Sequence, residues 1–245
     1  MQGERVLRLA FYHLPRTGGL ALTRDILRPN FLPWQRCHVN YDYRMTVLNG
    51  THDPRGWPEW RRRLVRLLAG HMPFGFAGVF PGVTEYATMV RDPVTRAVSD
   101  YYFCRKDPSN PFHPLVMKQP LAEFVERNAV YAQNCYARWL SNQAFGETYR
   151  SKNEMLEAAM ENLGRISLIG VTEEYDESVR RLCGRYRLSP RPTTKANRND
   201  STPAGRQISP AERELISHYN SLDMVIYEEC VKRFKGELKP AESVR

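Results

Sequence analysis

A glycine-containing loop near the start of the chain has the composition of an anion-binding loop: His13-Leu14-Pro15-Arg16-Thr17-Gly18-Gly19. It lies between two apolar runs, which predicts a strand before it and a helix after it. Two glycines let successive backbone N–H groups point inward, and the N-terminus of the following helix adds partial positive charge. Arg16 would add a planar fork of donors for the oxygens of a phosphate or sulfate. An ordinary tight turn between strand and helix explains the same glycines, and the loop lacks the Lys-Ser/Thr pair of a Walker A loop.

A second segment with suitable chemistry begins at Arg91, directly after the predicted strand 85–90. Pro93 favours a helix start there, so Arg91 lies at the carboxyl end of a strand, where open α/β sheets bind ligands. Ser99 follows two helical turns later, close to the same face as Arg91. An arginine and a hydroxyl placed together suit a terminal phosphate monoester. The alternative is that Arg91 pairs with Asp92 or another neighbour and that Ser99 faces solvent.

His71 is the candidate general base. It lies in Gly70-His71-Met72-Pro73-Phe74-Gly75, which predicts a turn bounded by glycines. A neutral imidazole with a pKa near 6.5 can take the proton of a hydroxyl nucleophile. The alternative is a structural histidine that bonds a backbone carbonyl. The other histidines are weaker candidates, although His38 and His52 could meet an acceptor.

The elements that must position these residues alternate between strands and helices. Buried strands are predicted at 6–12, 85–90 and 166–171, and the segment 30–56 is irregular with one short strand at most. Trp57, Trp60, Leu64, Leu67 and Leu68 indicate one amphipathic helix, with both tryptophans in the core and a solvated arginine face. Further helices are predicted at 119–128, 131–142, 152–164, 173–186 and 222–234, and a capping box at Ser209 starts another. We expect one α/β domain over 1–245, with three layers and a mainly parallel sheet.

The composition agrees with a globular protein that meets anions. The chain has 245 residues and a formal net charge of +9, which favours nucleotides, sulfated sugars, nucleic acid or acidic membranes. The five cysteines are scattered, so neither a zinc site nor a disulfide framework is predicted, and reduced thiols in the cytoplasm fit best. The sequence has no run long enough for a transmembrane helix, and no residue cluster calls for a metal.

The motifs together resemble the sulfotransferases that use 3′-phosphoadenosine 5′-phosphosulfate (PAPS). The branch with the heparan sulfate 2-O- and 6-O-sulfotransferases and their bacterial relatives is the most similar. The resemblance rests on the loop at 13–19, on 70–75 and on Arg91-Asp92-Pro93-x-x-Arg96-x-x-Ser99-x-Tyr101-Tyr102. Weaker similarity continues through Gln133-Asn134-x-x-Ala137-Arg138-x-Leu140, Ile169-Gly170-Val171-Thr172-Glu173 and Asn220-x-x-Asp223-x-x-x-Tyr227.

The resemblance implies a PAPS donor, with adenosine 3′,5′-bisphosphate (PAP) as product and a hydroxyl acceptor such as a carbohydrate or glycolipid. It assigns the 5′-phosphosulfate to a P-loop-like segment: Pro15, Arg16, Thr17, Gly18, Gly19, Leu20 and Ala21. It assigns the 3′-phosphate to Arg91 and Ser99, and proton removal to His71. In the basic loop 189–207, Lys195, Arg198 and Arg206 could close over the nucleotide, although charged residues collect in such loops anyway.

Two positions depart from the family pattern. Arg16 replaces the loop lysine, and it can stabilise the charge of a phosphate leaving group without donating a proton. Leu20 and Ala21 replace Thr-Ser, which removes two hydroxyls from the loop and weakens the case for tight donor binding. A relative that binds the nucleotide without catalysis therefore stays open. A small-molecule kinase is disfavoured by the missing lysine and magnesium ligands, and a nucleic-acid-binding domain by the missing recognition element.

Overall fold

The computed structural model describes residues 7–41, 53–142, 151–192, 202–203 and 206–236. These residues form a five-stranded sheet in the order β2-β3-β1-β4-β5, and each pairing is parallel. The strands are β1 (Leu9–Tyr12), β2 (Arg36–Asn40), β3 (Leu67–His71), β4 (Glu85–Val90) and β5 (Leu168–Val171). Because the strands run the same way, their carboxyl ends meet at one edge of the sheet.

The helices follow the strands as α/β topology requires. In chain order they are α1 (Gly19–Ala21), α2 (Glu59–Leu64), α3 (Pro93–Lys106), α4 (His113–Lys118), α5 (Leu121–Arg127), α6 (Ala129–Ala132), α7 (Cys135–Leu140), α8 (Lys152–Gly164), α9 (Tyr175–Tyr186), α10 (Pro210–Tyr219) and α11 (Ser221–Gly236). A π-helical stretch (Leu22–Leu27) and a 3₁₀ turn (Arg28–Asn30) continue directly from α1.

Alternate residues of β1 point into two separate cores. Ala10 and Tyr12 belong to a core shared with α7, α8 and α11, whereas Leu9 and Phe11 belong to one shared with α9 and the stretch after α1. A strand that is buried on both faces needs helices on both faces. The predicted three-layer α/β fold with a parallel sheet is confirmed.

Several predicted elements are confirmed closely. β4 and α8 occupy 85–90 and 152–164 as predicted, and α10 begins at the Ser209 capping box, where Ser209 Oγ accepts from the Glu212 N–H at 3.2 Å. Two details differ. A short helix, α4, forms where no helix is predicted from the sequence, and the helix predicted at 131–142 is divided at Asn134, whose φ is 47°.

The predicted helix from Trp57 to Leu68 is wrong. Only Glu59–Leu64 is helical, and Leu67 and Leu68 lie in β3 between β1 and β2. A central parallel strand is apolar throughout, so its residues can complete an apparent helical stripe in the sequence. The short helix leaves Trp60 65% exposed, so its predicted place in the core is also wrong, whereas Trp57 is half-buried against the core.

Two further expectations concern disulfide bonds and membrane-spanning helices. All five cysteines are buried and none forms a disulfide. No helix in the described ranges is long and apolar enough to cross a membrane.

Candidate active site

The first loop, residues 13–19, turns sharply between β1 and α1. Arg16 and Gly18 adopt left-handed backbone conformations, with φ of 63° and 81°. Thr17 is buried, and its hydroxyl donates to the Leu14 carbonyl at 2.8 Å. The Thr172 hydroxyl lies 2.7 Å from the Thr17 carbonyl and 2.9 Å from the Val90 carbonyl. The loop is therefore fastened to the carboxyl ends of β4 and β5, and the Thr17 hydroxyl hydrogen is used inside the protein.

The remaining loop residues predicted for the donor lie where the chain enters α1. Pro15 and Gly19 are buried and Gly18 is half-buried. Leu20 is 65% exposed, whereas Ala21 is buried against the core. A Cβ at Gly19 would lie only 2.2 Å from His13 Cδ2, so a larger residue at position 19 would have to displace the His13 ring that covers it.

Arg16 and Ser99, predicted from separate segments, are in direct contact. Arg16 Nε donates to Ser99 Oγ at 3.1 Å, and the guanidinium carbon lies 4.4 Å from the centre of the Phe103 ring. Ser99 is buried in α3. An anion that enters here must therefore share or replace a contact that already exists between the first loop and α3.

Arg91 is held by its backbone, and its side chain stays available. The Arg91 N–H donates to the Tyr136 hydroxyl at 3.0 Å, and that hydroxyl donates to the Arg91 carbonyl at 2.7 Å. Its guanidinium forms no hydrogen bond or ion pair with any residue that the structure describes. Burial lowers the pKa of Arg91, Glu173 opposes this, and the charge of nearby Arg16 adds to it. Two cationic groups side by side favour a bound anion.

Residues of the weaker motifs fix the position of Arg91 indirectly, through hydrogen bonds to α7. Both Asp223 carboxylate oxygens accept backbone N–H groups of α7, from Tyr136 and Ala137, at 3.0 Å. Asn220 accepts the Asn134 N–H at 3.0 Å. These bonds fix the start of α7 and, through it, the hydroxyl that holds Arg91. Sequence reasoning missed Tyr136, although the motif around it was the available signal.

His71 is the last residue of β3, so the prediction that it lies in a glycine-bounded turn is wrong. Gly70 is needed before it because a Cβ there would lie 1.8 Å from the Val39 carbonyl oxygen of β2. His71 Nδ1 lies 2.5 Å from the His13 carbonyl oxygen. Because a carbonyl only accepts, Nδ1 carries the proton in the neutral ring, and Nε2 is left as the basic nitrogen.

His13 encloses His71 from the side of the first loop. The two imidazole rings stack with centres 4.3 Å apart, and the Trp139 ring lies 6.1 Å from His71. Burial lowers the pKa of His71 to about 4, against the hydrogen bond to His13 and with the help of His38. Burial also lowers the pKa of His13 well below its usual value, with further lowering by His71, His38 and Arg16. An ionisation of free His71 near 6.5, as the residue type alone predicts, is therefore not expected.

Other predicted residues lie away from this group or outside the described ranges. Lys195, Arg198 and His52 fall in segments outside the residues described. Arg206 donates to the Tyr102 hydroxyl at 3.0 Å and pairs with Glu212, so it is engaged within the protein. His38 lies in β2 and is exposed. Within the described ranges, no three His, Cys, Asp or Glu side chains are grouped to hold a metal ion.

Comparison with known proteins gives limited further information. The sequence matches no protein-family model and no curated protein. One similar solved structure is the mouse sulfotransferase SULT7A1 complexed with PAP, at 15% identity and a TM-score of 0.42, over 83% of this chain and 71% of that one.

Proposed function

We propose that the protein transfers the sulfuryl group of PAPS to a hydroxyl group of a carbohydrate or glycolipid. The observation that carries the proposal is the convergence of two arginines, a serine and a neutral histidine at the carboxyl edge of the sheet. Arg16 contacts Ser99, its charge acts on both Arg91 and His13, and His13 stacks on His71. This arrangement supplies binding groups for an anionic donor next to a base.

Arg91 and Ser99 are proposed to hold the 3′-phosphate of the donor. The Arg91 guanidinium forms no hydrogen bond to the described residues. The Ser99 hydroxyl accepts a hydrogen bond from Arg16, the arginine near Arg91. A nucleotide with a 3′-phosphate would satisfy both groups. A nucleotide that carries phosphates only on the 5′ side would leave one of them unsatisfied, which gives the site its selectivity.

The first loop and α1 are proposed to hold the 5′-phosphosulfate, with backbone N–H groups and Arg16 as donors. The Thr17 hydroxyl hydrogen already serves the Leu14 carbonyl, and Leu20 and Ala21 supply no hydroxyl. Donor binding on this side therefore depends mainly on the backbone and on Arg16. Arginine suffices for catalysis there because the leaving phosphate needs charge stabilisation rather than a proton.

His71 is proposed to activate the acceptor. Its Nε2 takes the hydroxyl proton while the acceptor oxygen forms a bond to sulfur, and the bond from sulfur to the 5′-phosphate oxygen breaks. The bonding electron pair leaves with PAP, and His71 then returns its proton to water. Because the His13 carbonyl accepts the Nδ1 proton, Nε2 is the unprotonated nitrogen of the neutral ring and is ready for the acceptor proton.

A pKa of about 4 makes free His71 a weak base, and the donor itself would correct this. PAPS brings several negative charges next to the ring, and nearby anions raise the pKa of an imidazole. We therefore propose that His71 becomes an effective base only in the donor complex.

The five buried thiols fit a reducing compartment, and we propose that the reaction takes place in the cytoplasm.

The test is a comparison of thermal unfolding with PAP, ADP, ATP and AMP. PAP is expected to raise the melting temperature most, because it alone of the four carries a 3′-phosphate. A ligand at a hundred times its Kd adds about 2.7 kcal/mol to the free energy of unfolding. Transfer of labelled sulfate from PAPS to a panel of sugars and glycolipids then tests catalysis. Equal stabilisation by PAP and ADP would contradict the donor assignment, and PAP binding without transfer would favour a binding protein.

A further inference from the structure

Large apolar side chains are exposed at the opposite edge of the sheet, near the amino ends of β2 and β3. Leu32, Trp34, Trp60 and Leu64 are 49%, 62%, 65% and 46% exposed. They make up four of the seven exposed large hydrophobic residues in the described ranges, including both exposed tryptophans. We call these four residues the tryptophan patch.

The two segments that carry the patch are adjacent. Leu32 and Trp34 lie at a 3₁₀ turn before β2, and Trp60 and Leu64 lie one helical turn apart in α2, before β3. The Arg66 N–H donates to the Gln35 carbonyl at 2.8 Å, which joins the end of one segment to the end of the other. Single exposed apolar residues are ordinary, but a concentration of this kind marks an interaction surface.

The charge around the patch is strongly positive. Residues 28–41 and 57–68 contain six arginines and one acidic residue, Glu59, which gives 6 − 1 = +5. Arg28, Arg61 and Arg63 are exposed there. Arg61 lies over the Trp57 ring at 3.9 Å, and Arg63 pairs with Glu59 at 2.6 Å. The surface thus combines exposed tryptophan and leucine with arginine.

We propose that the tryptophan patch docks the protein on a membrane surface rich in anionic lipids. Tryptophan rings prefer the level of the lipid headgroups, leucines enter the acyl boundary, and arginines meet the lipid phosphates. A nucleic acid would use the arginines and could stack on the tryptophans, but it gives no place to exposed leucines. The proposal goes beyond sulfuryl transfer and does not rest on it.

Flotation with lipid vesicles tests the proposal on the whole chain without any assay of activity. The wild-type protein should float with vesicles of phosphatidylcholine mixed with phosphatidylglycerol, and much less with pure phosphatidylcholine. Trp60→Ser with Leu64→Ser should weaken binding to the mixed vesicles about tenfold, because both side chains lose their place in the lipid. Arg61→Gln with Arg63→Gln should reduce only the part that depends on phosphatidylglycerol.

The matched control is Met117→Ser with Val225→Ser, which removes two side chains that are 50% and 44% exposed elsewhere. This double variant should float like the wild type. The proposal is overturned if the wild type does not bind the mixed vesicles, or if the control variant loses as much binding as the patch variant. It is also overturned if sedimentation shows that the patch variant turns a dimer into a monomer, because a second copy would then be the occupant.

Discussion

The two edges of the sheet differ in which side chains are buried and which are exposed. At the carboxyl edge, His13, Thr17 and Ser99 are buried. The Thr17 hydroxyl donates to the Leu14 carbonyl, and the Ser99 hydroxyl accepts from Arg16. At the amino edge, Trp34 and Trp60 are exposed. Folding alone favours neither arrangement, because buried polar groups lose hydration and exposed tryptophans forgo burial. The two proposed binding sites lie at these two edges, one for an anion within the protein and one for a surface outside it.

Replacing His71 should produce the largest effect at the carboxyl edge. His71→Ala is expected to lower kcat by about 10²- to 10⁴-fold, since the acceptor proton then has no base. PAP affinity should change little, because Arg16, Arg91 and Ser99 remain. Steady-state kinetics and calorimetry check the two halves, and a variant that loses PAP binding as well would make His71 a structural residue.

The pH dependence sharpens the same test. His71 must be neutral to act, so activity should rise with pH through the pKa and then level off. The free protein should titrate near 4, where burial places the pKa of His71, and PAP should move that titration upward. NMR of the imidazole nitrogens with and without PAP measures this. An unchanged His71 titration on PAP binding would contradict the proposed activation by the donor.

Arg91→Ala should weaken PAP binding by about 1.5–3 kcal/mol, the usual contribution of a hydrogen bond to a charged group. The fold should persist, because the backbone of residue 91, not its side chain, bonds to Tyr136. Calorimetry with PAP and with ADP separates the effect, and the loss should be confined to PAP. Arg63→Ala, at an exposed arginine of the opposite edge, is the matched control and should bind PAP normally.

Gly19→Ala should produce a smaller effect, through displacement of the His13 ring. The new Cβ would lie 2.2 Å from that ring. Accommodating an extra group in a packed region typically lowers the free energy of unfolding by about 1–3 kcal/mol. The melting temperature should fall, and activity should fall further because His13 holds His71. Gly78→Ala is the control, since a Cβ there has no neighbour within 4 Å. Similar melting temperatures for the two variants would contradict the described packing.

The sequence alone determined several of the local elements and the residue types of the site. The segment from Glu85 to Val90 predicted β4, the serine–glutamate capping box predicted the start of α10, and glycines with Arg16 marked the first loop. These features depend on neighbours in the chain, so local patterns are sufficient to predict them. Arg91 and Ser99 could be named for the same reason, since one ends a strand and the other lies on the next helix.

Only the tertiary structure decided which of these groups meet and how they behave. Neighbouring parallel strands bring His13 and His71 together although 58 positions separate them, and the resulting burial lowers the pKa of His71. The end of the apparent helix at Leu64 was equally hidden, because the apolar run that follows it forms β3, which pairs with β1 and β2 and is buried on both faces of the sheet. Trp60 is exposed for that reason: burial depends on contacts between segments, which the order of residues does not display.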